Sequence, residues 1–255
     1  SPADTSVIVG GVMELSTNQG GTAASAFEGV ASGAKKFYMP SAICDRWGQN
    51  SAYAVQNTDL TQATSVTVTY SNGATETQTI GAGAKKSFLA CSASGMAVGF
   101  SGSAVVQSTT TDIIAIGKVY GSGASTAFVG SSSGGAKMAL PYVRWAKDSD
   151  YAAGNGQRVF LTIQNIGSTD LAAGAVTVKY IKYDGVQEGS THSLPAIAVG
   201  AKTNSNASNA GLAEFGKYGS VYGGGAIIEA PAGAELAVVA RVSTQVSPGQ
   251  TASED

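Results

Sequence analysis

A chain of 255 residues has room for one large domain or two of ordinary size. Charged residues make up 13%, roughly half the usual share of about 25%, and a net charge of −2 offers no basic field for nucleic acid. Hydrophobic residues at 43% exclude a disordered chain, and no apolar run approaches the ~18 residues that span a bilayer.

A surface this poor in charge must be covered by hydroxyls, amides and backbone, as in secreted, glycosylated or assembled proteins. The sequence opens Ser1-Pro2-Ala3-Asp4 rather than with Met, which predicts a mature extracellular or cell-surface chain after signal-peptide removal. The plainer alternative is that the chain simply starts there. Cys44 and Cys91 fit an oxidising compartment and a single disulfide, with two free buried thiols as the alternative.

The first predicted strand runs from Thr5 to Thr17. Its odd positions Val7, Val9, Gly11, Met13 and Leu15 form an apolar face, and its even positions a mixed one. A flexible connector, Thr17 to Ala24, follows.

From there the chain reads as one pattern written twice. Ala26-Phe27-Glu28-Gly29 is answered by Ala127-Phe128-Val129-Gly130, Met39-Pro40 by Leu140-Pro141, and Arg46-Trp47 by Arg144-Trp145. Val55-Gln56-Asn57 matches Ile163-Gln164-Asn165, and Val66-Thr67-Val68-Thr69-Tyr70 matches Val176-Thr177-Val178-Lys179-Tyr180. Further on, the segment from Ile80 to Lys85 returns between Ile197 and Lys202, and that from Asp112 to Val119 between Glu235 and Val242. The offset grows from 101 (127 − 26) to 123 (235 − 112), so the second copy carries loop insertions.

Alternation of Val66, Val68 and Tyr70 with threonines predicts a strand with one face on a core. Asn72-Gly73 and Asp184-Gly185 predict tight hairpin turns of type I′, and Thr75 to Thr79 a polar, exposed returning strand. Short strands with turn signals at these intervals argue for an all-β two-sheet sandwich. Helix is expected only over Ser208 to Gly219, with Leu212, Phe215 and Val221 facing inward.

The run from Gln56-Asn57 to Tyr70, then Asn72-Gly73 and Gly83-Ala84, resembles the immunoglobulin-like repeats of bacterial secreted and cell-surface proteins. The resemblance covers both copies but not residues 1 to 23. It implies two tandem immunoglobulin-like β-sandwich units, at 24–121 and 122–246, after an N-terminal extension and before a tail at 247–255. It implies a surface setting and no activity.

Chemistry is sparse. His192 is the single histidine, and nothing in the sequence nominates a nucleophile or an orienting acid for it. Glu28, Glu76, Glu188, Glu214, Glu229 and Glu235 share no glycosidase motif. Two cysteines cannot alone make a zinc site. Asp148, Asp150 and Asn155 could offer oxygens to calcium but lack the spacing of an EF-hand loop. No catalytic, cofactor or metal site is expected. Trp47 and Trp145, each after an arginine, read as a repeated sugar platform or as tryptophans closing a sandwich end, and repetition favours the second. Asn206-Ala207-Ser208 matches the acceptor for N-linked sugar.

The Thr5–Thr17 segment precedes both copies, and an exposed apolar strand invites aggregation. The plainer alternative is an edge strand on its own first repeat. Adding to a neighbouring subunit instead would satisfy its backbone and its apolar face, and repeated head to tail without closure this makes a fibre. The segment resembles the donor strand of bacterial pilins and other extracellular filament subunits; the chain departs from chaperone–usher pilins in having two sandwich units and no clear penultimate-aromatic C-terminus, and from type IV pilins and flagellins in lacking a helical N-terminus. The expected function is therefore a structural subunit of an extracellular filament or surface layer whose partners are copies of itself. The alternative is a glycan-binding module or adhesin.

Overall fold

The computed structural model describes residues 11–16, 23–122, 124–146, 156–216, 224–247 and 250–254. The fold is an all-β sandwich. In chain order the strands are β1 (Gly11–Ser16), β2 (Ala23–Glu28), β3 (Lys36–Cys44), β4 (Asn50–Asn57), β5 (Thr64–Tyr70), β6 (Thr75–Ile80) and β7 (Lys85–Leu89). Next come β8 (Phe100–Ser108), β9 (Ile113–Gly121), β10 (Ala124–Val129), β11 (Lys137–Leu140), β12 (Trp145–Ala146) and β13 (Gln157–Asn165). The last are β14 (Thr177–Lys182), β15 (Gln187–Ser193), β16 (Lys202–Ser205), β17 (Gly224–Glu229), β18 (Leu236–Ser247) and β19 (Gln250–Glu254). Among the described residues, these strands pair antiparallel throughout.

The strands close around two buried clusters. Sheets β3-β8-β5-β6 and β10-β9-β4-β7 enclose the first, which includes Phe37, Tyr53, Val68, Tyr70, Phe88 and Val106. Sheets β11-β17-β14-β15 and β12-β13-β18-β19, with β16 following β12 along the same edge of β13, enclose the second, which includes Leu161, Ile163, Val178, Tyr180, Phe215 and Ile228. The strand order of each sheet around the first core recurs around the second, β10-β9-β4-β7 answering to β19-β18-β13-β16. Alternation is the local cause: in β5, Val66, Val68 and Tyr70 are buried while Thr69 is exposed, and in β14 Val178 and Tyr180 are buried.

Two turns differ from expectation. Gly73 and Gly185 have φ of +86° and +84°, but Asn72 and Asp184 do not share the left-handed region. Gly73 N donates to Tyr70 O (2.8 Å) and Tyr70 N to Ala74 O (2.9 Å); Gly185 N donates to Lys182 O (3.0 Å) and Lys182 N to Val186 O (2.9 Å). These are three-residue loops closed by a glycine bulge rather than type I′ turns. The side chains explain the preference: Asn72 Oδ1 accepts from Ala74 N (3.1 Å) and Asp184 Oδ1 from Val186 N (3.0 Å), a local bond made by a residue with negative φ.

The expected helix is also shorter than its sequence pattern. One 3₁₀ turn, Ala207–Ala210, is capped by Asn206 and ended by Gly211 at φ +81°. Phe215 is buried, yet it reaches the second core by bridging Trp145 rather than on a helix face. Residues 217 to 221 lie outside the described residues.

Three antiparallel hairpins recur along the chain: β1–β2, β9–β10 and β18–β19. Phe27 stands opposite Val12, and Phe128 opposite Gly117. The strand β10, which opens the second sequence repeat, completes a sheet of the first core, and Phe128 packs into that core. The segment Gln250–Glu254, read from sequence as a polar tail, pairs with β18 in the same manner.

Direct bonds join the two cores. Gln164 is fully buried and donates through Nε2 to Gly200 O (3.1 Å) and to Ala104 O (3.4 Å). Ser103 Oγ donates to the same Gly200 oxygen (2.6 Å). Beside this seam lies a cleft.

Candidate functional site: a cleft between the two cores

The β3–β4 connection is tight. Arg46 N donates to Gln49 O (3.2 Å) and Gln49 N to Arg46 O (3.0 Å). Asp45, Trp47 and Gly48 all have positive φ, at 45°, 55° and 70°. A bulky tryptophan in the left-handed region is rare and costs on the order of 1–3 kcal/mol. Neighbours hold it there. Cys44 is bonded to Cys91 immediately before the turn, with Cα atoms 5.0 Å apart, and Ser122 Oγ donates to Trp47 O (2.9 Å). The Arg46 guanidinium lies 4.6 Å from the centre of the indole ring, and Trp47 is left 71% exposed.

Trp47 stands at a cleft of about 420 Å³. The first core contributes Ser41, Gln49 and Ser101 beside Trp47, and the second contributes Phe160, Thr162, Lys202, Asn204 and Arg241 from β13, β16 and β18. Arg241 Nη1 donates to Gln49 Oε1 (2.9 Å) across the gap. Lys202 Nζ is within reach of Asn204 Oδ1 (3.2 Å) and Ser101 Oγ (3.4 Å). Burial, and after it the Arg46 guanidinium, pull the Lys202 ammonium down to about 8. Among the described residues no carboxylate lines this cleft. An indole face and apolar side chains such as Ile43, Val119 and Val239, with hydroxyls, amides and cations among them, make a surface that can hold a ring bearing polar substituents.

The second tryptophan differs from the first. Trp145 lies in β12, half-buried, with its backbone bridged to Phe215 (2.8 and 2.9 Å). Its ring meets Phe160 edge-on at 5.6 Å and carries the Arg158 guanidinium at 4.9 Å. Arg144, its neighbour in sequence, stacks instead on Tyr142 at 4.9 Å. The cleft therefore holds one of the two sequence-matched tryptophans directly, and Trp145 backs Phe160 from behind. Lys202, Arg241, Gln49 and Phe160 are widely separated in sequence and carried no signal of convergence.

His192 has a partner that the sequence did not reveal. Its Nδ1 lies 2.8 Å from Ser205 Oγ, which is 2.8 Å from Tyr180 OH. Ser205 is fully buried, so no substrate reaches the hydroxyl, and the triplet ties β14, β15 and β16 together. Burial holds the His192 imidazole below its ordinary value. Glu229 is paired with Lys179 (2.5 Å) and Lys137 (3.1 Å), and its hydrogen bonds from those lysines hold its carboxyl below the usual range. Among the described residues, no group of three or more His, Cys, Asp or Glu could hold a metal ion. Asp148, Asp150 and Asn155 lie outside the described residues.

Of the N-terminal strand, Gly11, Met13 and Leu15 fall in β1, which pairs with β2 of the same chain, Gly11 opposite Glu28 and Ser16 opposite Ala23. Val7 and Val9 lie outside the described residues. An apolar groove of about 740 Å³ runs beneath the hairpin, lined by Val12, Phe27, Phe128, Leu140 and Val238 among others. Val12 is 51% exposed. No described helix is long and apolar enough to cross a membrane.

No family model, no curated protein and no solved structure matches the chain.

Proposed function

We propose that the protein is a structural subunit of an extracellular filament or surface assembly, built of two tandem immunoglobulin-like sandwich units and joined to its neighbours by strand addition through Thr5–Thr17. One observation carries the reading. In the hairpins β9–β10 and β18–β19 the longer strand has a second partner, β4 or β13. In the N-terminal hairpin, β1 pairs with β2 and, among the described residues, with nothing on its other edge. A two-stranded sheet is marginal alone in water, and an open edge is a template for another chain. This free edge, which includes Gly11, Met13 and Leu15, is the one offered to a neighbouring subunit, with Val7 and Val9 of the same sequence segment as its further anchors.

The disulfide and the low surface charge suit an extracellular setting. Electron microscopy and sedimentation of the full chain, compared with a chain lacking residues 1–20, test the reading. Filaments or higher assemblies from the full chain only are expected. A full-length chain that stays monomeric at high concentration, or a truncated one that still assembles, overturns it.

A second reading, a glycan-binding module or adhesin, is favoured by Trp47, exposed on a strained left-handed turn at the mouth of the cleft. Strain held by a disulfide is a feature of ligand sites as well as of tight turns. Glycan-array binding by the wild type that disappears in Trp47→Ala tests it. An array on which the two proteins give the same signals would set this reading aside.

A further inference from the structure

We infer that the cleft between the two cores takes an acidic saccharide, its anionic group held by Lys202 with Arg46 close behind and its ring carried by the indole of Trp47. The inference rests on the glycan-binding reading and adds the charge of the ligand.

Three observations converge. First, the cleft is cationic on an acidic protein. The chain carries a net charge of −2, yet Lys202 lines the cleft and no carboxylate among the described residues does. Arg46, stacked on the Trp47 ring that lines the cleft, adds a second cation. Like charges gathered in a partly enclosed space are costly without an anion between them, and a bound carboxylate or sulfate removes that cost.

Second, the hydrogen-bond partners of Lys202 Nζ are neutral oxygens, Asn204 Oδ1 at 3.2 Å and Ser101 Oγ at 3.4 Å. An ammonium has three donors, and a charged acceptor strengthens each bond it receives. Arg46 is likewise held by neutral groups, donating through Nη1 to Gly99 O (3.1 Å) with its plane over Trp47. The cations are thus positioned by the fold with their charge unmet by any of these contacts.

Third, the remaining lining fits a sugar ring. Trp47 offers a large exposed face that the apolar C–H side of a pyranose can cover. Around it Ser41, Ser101, Thr162 and Asn204 present hydroxyls and an amide, which both donate and accept, as ring hydroxyls do. At about 420 Å³ the space is that of a small-ligand site.

The test uses the full chain with uronic-acid oligosaccharides as probe, the matching neutral oligosaccharides, and an acidic peptide of equal charge, read by tryptophan fluorescence and calorimetry. Acidic oligosaccharide should bind more tightly than neutral. Lys202→Gln should weaken the acidic probe by about tenfold or more while leaving the neutral one unchanged, and Trp47→Ala should weaken both. Circular dichroism of Lys202→Gln checks that the fold is kept, and Arg46→Gln supplies a second variant if it is not. Equal affinity for acidic and neutral probes, with no effect of either charge variant, overturns the inference and leaves the glycan reading standing. Absence of binding to any saccharide overturns both. Tighter binding of the acidic peptide than of the acidic saccharide overturns the assignment to a sugar.

Discussion

Asn57 and Asn165 perform the same task in the two cores. Each is buried at the end of a central strand and uses its amide to close the loops beyond it. Asn57 Nδ2 donates to Gln62 O (2.6 Å) and Gly81 O (3.1 Å), and Asn165 Nδ2 to Thr169 O (2.8 Å) and Ile197 O (3.1 Å). Each Oδ1 accepts from the backbone two residues on, at Asp59 and Gly167, both at 3.1 Å. Asn57 alone accepts a further bond, from Thr111 Oγ1 at 2.7 Å. Truncation leaves buried backbone groups without partners, so Asn57→Ala should lose about 2–4 kcal/mol and Asn165→Ala somewhat less. Aspartate should not rescue either site, because a carboxylate cannot donate. Urea unfolding of the four variants measures this, and an aspartate variant of wild-type stability would remove the amide from the account.

Reduction of the Cys44–Cys91 bond should act locally as well as globally. The bridge closes a loop of 47 residues, for which a loss of about 2–4 kcal/mol is expected. Cys44 also ends β3 directly before the strained turn that presents Trp47. Freed of that anchor, Trp47 should leave the left-handed region, so its fluorescence and any binding at the cleft should change before the chain unfolds. Thiol titration followed by fluorescence reads both events. A reduced protein whose tryptophan emission is unaltered below its unfolding transition would show that the turn holds without the bridge.

Much of this fold was legible because its causes are local. Alternation in Val66–Tyr70 and the Asn-Gly and Asp-Gly pairs placed strands and hairpins, since burial and positive φ act on neighbouring residues. The turn type was misread because Asn72 and Asp184 satisfy a backbone N–H two residues on without adopting positive φ. Matching Arg-Trp pairs foretold neither that Trp47 would be exposed nor that Arg158 would replace Arg144 over Trp145. The cleft itself was invisible. Lys202 and Arg241 meet Trp47 only through the packing of one core against the other, and no sequence period records that.

The glycines of the two hairpin loops give a clean measure of backbone strain. A Cβ added at Gly73 or Gly185 meets nothing within 4 Å, so substitution introduces no clash. Gly73→Ala and Gly185→Ala should each lose about 1 kcal/mol, the cost of an L-residue at positive φ. Replacement by D-alanine through chemical ligation should instead stabilise slightly, by limiting the unfolded chain. Thermal unfolding distinguishes these outcomes, and equal losses with L- and D-alanine would mean that something other than φ governs the loops.

Lys202 should make stability depend on pH in the alkaline range. Its ammonium titrates at about 8 in the fold, because of burial first and Arg46 second, against 10.5 as its ordinary value. Below pH 8 both folded and unfolded chains carry the proton, and the fold bears the full cost of the buried charge. Between about 8 and 10.5 the unfolded chain holds more protons than the folded one, so this group makes stability rise with pH across that window and adds nothing further above it. Lys202→Met removes the charge while keeping most of the side-chain volume. The variant should be more stable than the wild type at pH 7 by on the order of 2–3 kcal/mol, and the difference should shrink as pH climbs from 8 to 10.5. Denaturant unfolding of both proteins at pH 7, 8, 9 and 10 follows it directly. Parallel curves, with the variant no more stable at pH 7, would show that the cleft solvates Lys202 as well as water does.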